Sequence, residues 1–170
     1  MNNILDNSNL IIQFINMRIK KSHVVILMTI FIGSQVLAQA DIKIISYNIL
    51  EGLGNAQSYG EGRQQRCVDW LKSQNAKVIA LQELYKSEEK LKSDAQNWGH
   101  EYYVKSGPLG LTSKQPIEVV KKYKKGLWHG MLHCRTYGID FFVVHLSPAD
   151  WKYRLAEAQI IKEIIDTVHQ

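Results

Sequence analysis

Three polar residues stand at the ends of apolar runs in this chain. Asn48 follows IISY, Glu83 follows VIALQ, and His145 follows FFVV. Each type suits a different task at one centre. A carboxylate can hold Mg²⁺, which prefers oxygen ligands and keeps several of its waters. An amide can orient a phosphate or a metal-bound water without adding charge. A histidine can donate to a phosphate oxygen or protonate a leaving group. Together they suit hard-metal phosphate chemistry. Taken singly, Glu83 is also readable as a solvated strand end, Asn48 as a strand-end turn former, and His145 as a satisfied core histidine.

The elements that must position them follow from patterning. Residues 77–84 (KVIALQEL) hold four consecutive apolar residues, Val78, Ile79, Ala80 and Leu81, which read as a strand buried on both faces. In α/β sheets, ligands sit beyond the carboxyl ends of such strands. Residues 41–50 (DIKIISYNIL) are strongly strand-prone. A polar, glycine-bearing loop over residues 51–62 follows, long enough to suggest function. Residues 64–74 place Cys67, Val68, Trp70 and Leu71 at helical spacing. The order strand, loop, helix, strand predicts a βαβ unit with two parallel, adjacent strands. If the three runs share one sheet, their ends can converge on one cleft.

A second helix is expected over residues 87–98, with Ser87 as its cap, Glu88 and Glu89 in its first turn and Gly99 as its stop. Residues 100–105 read as a strand and 106–110 as a turn, with short antiparallel strands over 111–113 and 116–123. Residues 129–136 and 139–145 form a hairpin around Tyr137–Gly138. The last helix spans 151–168, with Leu155, Ala158, Ile161, Ile165 and Val168 on one face.

Residues 17–40 have a basic start (MRIKK), an apolar stretch of about ten residues and a small-x-small end at Ala38 and Ala40. They read as a signal peptide cleaved after Ala40, with an N-terminal membrane anchor as the alternative. The apolar stretch is short for a span, which needs roughly 20 residues. Residues 1–16 read as an over-extended start, and residues 41–170 as the mature, secreted or periplasmic domain without a stable membrane span. Removing Arg18, Lys20, Lys21 and Asp6 from the 21 basic and 16 acidic residues leaves a net charge of +3, too mild to argue nucleic-acid binding. Cys67 and Cys134 read as two separate thiols. His129 and His133 have a zinc-like spacing, but they fall on a predicted strand with no third ligand suggested. Lys121, Lys122, Lys124 and Lys125 read as guards of an edge strand.

The segments ISYNIL, VIALQEL, GLTSKQPI and FFVVHLSP, in this order and spacing, resemble the endonuclease/exonuclease/phosphatase superfamily. That group includes pancreatic-type deoxyribonucleases, apurinic-site endonucleases, bacterial sphingomyelinases and inositol-polyphosphate 5-phosphatases. The resemblance covers residues 41–170 and implies a four-layer αββα sandwich of mixed sheets. It implies hydrolysis of a phosphodiester or phosphomonoester by a water activated with Mg²⁺ or Mn²⁺. The substrate would be a phosphate ester: nucleic acid, a phospholipid head group or a small phosphoester. By position it makes Glu83 and Asn48 metal-site residues and places His145 by the scissile phosphate. Arg66 and Arg154 also match positions where members carry arginine, and both read as structural charge pairs.

The resemblance has a limit. The family's chemistry uses a later Gly-Asp-x-Asn segment, whose aspartate activates the water, and a final Asp-His pair. Neither occurs in these 170 residues. The expectation is therefore the N-terminal half of such a domain, truncated and inactive alone. The alternative is a secreted, non-catalytic binding module on the same scaffold.

Overall fold

The computed structural model describes residues 41–50, 52 and 62–168. The segments read as an over-extended start and a signal peptide, and nearly all of the 51–62 loop, lie outside the described residues. The compact unit that contains the described fold begins at Ile42.

The fold is a mixed α/β sandwich of two sheets. Its elements are β1 (Ile44–Asn48), α1 (Arg63–Gln74), β2 (Val78–Gln82), α2 (Glu88–Asn97), β3 (Tyr102–Ser106), β4 (Leu109–Ser113), β5 (Glu118–Tyr123), β6 (Met131–Thr136), β7 (Ile139–Val144) and α3 (Trp151–Val168). The first sheet has the order β1-β2-β4-β3 and the second β5-β6-β7. β1 and β2 are parallel neighbours, with Asn48 opposite Gln82, as the βαβ reading requires.

β2 explains why the layers stack as they do. Its side chains alternate between two cores. Ile79 and Leu81 pack with Val68 and Leu71 of α1 and with Leu91 and Ala95 of α2. Val78 and Ala80 face the other way, into a cluster with Leu109, Leu111, Leu132, Cys134 and Val143 that joins the two sheets. β4 obeys the same alternation. Leu109 and Leu111 face the second sheet, and Ser113 Oγ lies 3.0 Å from Thr136 Oγ1 across the interface. Gly110 faces the helices, where a Cβ would lie 2.5 Å from Leu84 Cδ2. The missing side chain is what lets Leu84 and Leu91 approach the sheet.

Two expectations about the sheets are corrected. The three apolar runs do not share one sheet, because β7 belongs to the second. Residues 106–110 are not all turn: Ser106 ends β3 and Leu109 begins β4, so the strand expected over 111–113 starts two residues earlier, while β5 is antiparallel to β6 as its reading requires. β5 is an edge strand with an exposed, lysine-rich surface and a register shift between Val119 and Lys121, as an edge that resists further pairing should be. The hairpin turn is where the sequence puts it, with Tyr137 at φ 54° and Gly138 at φ 71°.

The helix ends follow local chemistry. Ser87 Oγ accepts the Lys90 N–H at 3.3 Å and caps α2. Gly99, at φ 89°, takes the left-handed position after it. α3 has the expected span but a shifted face. Its covered residues are Glu157, Ile160, Ile161, Ile164, Ile165 and Val168. Leu155 is 50% exposed and Ala158 also faces outward. Arg154 donates to the Ala149 carbonyl, so it ties its own loop, while Lys162 pairs with Asp166 one turn along. Among the described residues no helix is long and apolar enough to cross a membrane.

His100 anchors β4 and α2 from inside. Its Nε2–H donates to the Ala76 carbonyl at 3.0 Å. Its Nδ1 accepts from the Thr112 hydroxyl at 2.8 Å, and that hydroxyl accepts from Trp98 Nε1–H at 3.2 Å. The chain of bonds uses the neutral ring, and burial, the largest cause, holds its pKa below the ordinary histidine value. In the unfolded chain the ring titrates near ~6.5. Acid therefore favours the unfolded state once the pH falls below that value. Stability to urea should drop as pH is lowered from about 7 to 5, with a smaller drop in His100→Asn. An equal pH dependence in the two proteins would count against this role.

Candidate active site

β1 and β2 leave the first sheet side by side. Ile49 N–H donates to the Gln82 carbonyl at 3.0 Å, so the two chains are still in register as they exit. Arg63 of α1 fastens that exit, donating to the Ile49 and Leu50 carbonyls at 2.8 and 3.1 Å. Asn48 Oδ1 accepts the Leu50 N–H at 2.9 Å, a side-chain turn that bends the strand end. Its Nδ2–H donates to Glu83 Oε1 at 2.9 Å. Asn48 is thus both a turn former and a partner of the carboxylate. The remaining lone pair on its Oδ1 stays available for a cation.

Glu83 sits just past β2 in the left-handed region, at φ 56°. For a residue with a Cβ this costs about 1–2 kcal/mol. The turn is held by its own carbonyl, which accepts from Gly52 N–H at 2.7 Å and Tyr85 N–H at 2.9 Å, and by Leu84 N–H donating to the Pro108 carbonyl at 2.8 Å. Just beyond, Lys86 and Asp94 form a buried ion pair at 2.6 Å, and Gln64 donates to the same carboxylate at 3.0 Å. This pair locks the turn to α2 and α1. Removing one partner of such a pair typically costs about 3–5 kcal/mol.

His145 follows β7 and reaches the site from the other sheet. Its Nε2 lies 3.8 Å from Glu83 Oε1, with side-chain exposures of 25% and 19%. Its Nδ1 is buried without a hydrogen-bond partner among the described residues. Asn48, Glu83 and His145 therefore meet at one place, across two sheets.

Sequence reasoning did not place His129 here. Its ring stacks on that of His145, with centroids 5.0 Å apart and 20° between planes. Tyr85 and Trp128 meet it edge-on at 6.3 and 5.9 Å. Burial first, then the neighbouring His145, pushes its pKa below the usual histidine value, while Glu157 and Glu83 act in the opposite direction. The local spacing pairs His129 with His133, which instead lies against Asp140. The signal was its place just before a β6 strand whose partner β7 ends in His145.

His133 belongs elsewhere. Its Nε2 lies 2.7 Å from Asp140 Oδ1, Arg135 donates to the other Asp140 oxygen at 2.9 Å, and its ring stacks on Phe142. Hydrogen bonds from Arg135 and then His133 hold the Asp140 carboxyl below its ordinary pKa. The two cysteines are free thiols, and burial raises that of Cys134 to about 12.

Among the described residues no group of three or more His, Cys, Asp and Glu is placed to hold a metal ion. Mg²⁺ needs less from a protein than zinc does, often one or two carboxylates with waters completing the shell. The acid Glu83 with the Asn48 amide beside it fits that small share.

No protein-family model matches the chain, and no curated protein matches it by sequence. Among solved structures, it is similar to a β-hairpin deletion mutant of beta toxin from Staphylococcus aureus, with a TM-score of 0.47 and 19% identity. The match covers 76% of this chain and 61% of the toxin chain, so this chain spans less than two thirds of that structure's length.

The strain at Glu83 is measurable apart from any activity. Glu83→Gly and Glu83→Ala both remove the carboxylate, but only glycine relaxes at φ 56°. The glycine variant should be more stable to urea by about 1 kcal/mol. Equal or greater stability of the alanine variant would rule the strain out.

Proposed function

We propose that this domain carries the metal-side part of a metal-dependent phosphoesterase site. The observation that supports it most is the convergence of Asn48, Glu83 and His145 from separate strand ends, with Asn48 bonded to Glu83 and His145 3.8 Å from it. A Mg²⁺ or Mn²⁺ ion at Glu83 would supply charge neutralisation to a phosphate oxygen and polarise the ester. The residues of this chain then have distinct roles. Glu83 holds the ion, and Asn48 fixes the carboxylate's orientation through its Nδ2–H. His145 donates from Nε2 to a phosphate oxygen, and the ring of His129 backs it on the far face.

The family's water-activating aspartate has no counterpart by motif in this sequence. The sequence holds no Gly-Asp-x-Asn segment and no Asp-His pair, and Asp150 and Asp166 lie on the loop and helix after β7. We therefore read the site as competent to bind metal and phosphate but incomplete for turnover. On this reading the parent activity belongs to the endonuclease/exonuclease/phosphatase superfamily and works on an extracytoplasmic phosphate ester.

The reading predicts coupling between the two ligands. Inorganic phosphate should bind the full chain more tightly with Mg²⁺ or Mn²⁺ present, by about 10-fold or more, within the range of binding couplings. That gain should vanish in Glu83→Gln. Turnover of a chromogenic phosphodiester should stay at background in both proteins. Phosphate binding indifferent to the cation would remove the metal assignment. Robust turnover that disappears in Glu83→Gln would show a complete site instead.

A further inference from the structure

Glu157 is a buried acid with no cation opposite it in the hydrogen bonds it makes. It is 5% exposed on the body-facing side of α3. One carboxylate oxygen accepts the Trp128 N–H at 2.6 Å, and the other accepts the Ser147 N–H at 2.6 Å. Burying a carboxylate is costly unless such bonds satisfy it, and charge-assisted bonds of this kind are the strong ones.

The two donors are not arbitrary. Trp128 immediately precedes His129, and Ser147 comes two residues after His145. β6 and β7 pair with Met131 opposite Val144, so the loops entering β6 and leaving β7 emerge at the same end of the hairpin. These loops have no ladder bonds to each other beyond that pair. Glu157 reaches both. Further contact between the first loop and α3 occurs at Gly126, where a Cβ would lie 2.7 Å from Ile160 Cδ1. Only a carboxylate offers two acceptor oxygens to two separate N–H groups. A glutamine would turn its own N–H₂ toward one of them.

We propose that Glu157 is a positioning residue: by fixing the loops that carry His129 and His145, it sets the stacked pair of rings beside Glu83. This rests on the phosphoester-site reading for its functional meaning, while the geometry it claims stands apart from that reading. Glu157 touches no reacting group. It acts through the two backbone amides.

The experiment is nuclear magnetic resonance on the isotope-labelled full chain, comparing the parent with Glu157→Gln. In the parent, ring protons of His129 and His145 should show a mutual Overhauser effect. The Trp128 and Ser147 amides should exchange slowly although they lie in loops. In Glu157→Gln the ring effect should be lost and at least one amide should exchange about tenfold faster or more, with core methyl signals such as those of Leu111 unmoved. Phosphate affinity in Mg²⁺ should fall with the ring effect. An intact ring effect with both amides still protected in the variant overturns the proposal. If the variant does not fold, the parent decides: Trp128 and Ser147 amides exchanging at open-loop rates overturn it as well. A parent that shows the ring effect but binds no phosphate refutes the site reading and leaves Glu157's role standing.

Discussion

β2 is buried on both faces, and the rest of the domain is arranged around that constraint. Ile79 and Leu81 have to be covered by helices, and Val78 and Ala80 by a second sheet. A strand so enclosed cannot slip by one residue, since a slip would exchange the two faces and misplace both sets of contacts. The register of β1 against β2 is therefore fixed, and so is the point at which both strands leave the sheet. Asn48 and Glu83 come out adjacent because Asn48 is opposite Gln82.

The cluster grows out of that exit. The chain must turn sharply past a buried strand, and glycine would make that turn with less strain. Glu83 takes the left-handed backbone instead, and the hydrogen bonds to its carbonyl with the buried Lys86–Asp94 pair behind it hold the turn. Strain kept at a chosen residue and supported by its surroundings is common at functional positions. From the second sheet come His145 and His129, stacked and half-buried, so that one carboxylate faces an imidazole pair over a short distance.

Much of this was legible in the sequence where local chemistry decides. The apolar run of β2, the Ser87 cap, the Tyr137–Gly138 turn and the span of α3 depend on propensity and periodicity, and they lie where those rules put them. What could not be read depends on the third dimension. β7 resembles the other apolar strands, yet it belongs to the second sheet, because a strand's sheet is chosen by its neighbours and not by its composition. The face of α3 was displaced because hydropathy ranks Leu155 above Glu157. In the fold, two backbone amides wait for an acceptor at position 157, and Leu155 is left half-exposed. The sequence marks His129 only by its spacing from His133; its stacking on His145, sixteen residues away, depends on how the hairpin pairs. The long polar loop after β1 and the leader-like segment lie outside the described residues.

We propose that Glu83 holds a hard divalent cation, and metal binding tests this most directly. Electron paramagnetic resonance of Mn²⁺ titrated into the full chain measures free ion directly. One saturable site is expected, from which Mg²⁺ displaces Mn²⁺; it should lose affinity by about tenfold or more in Glu83→Gln and be retained in His133→Asn. Equal Mn²⁺ binding by the parent and Glu83→Gln would contradict the proposal.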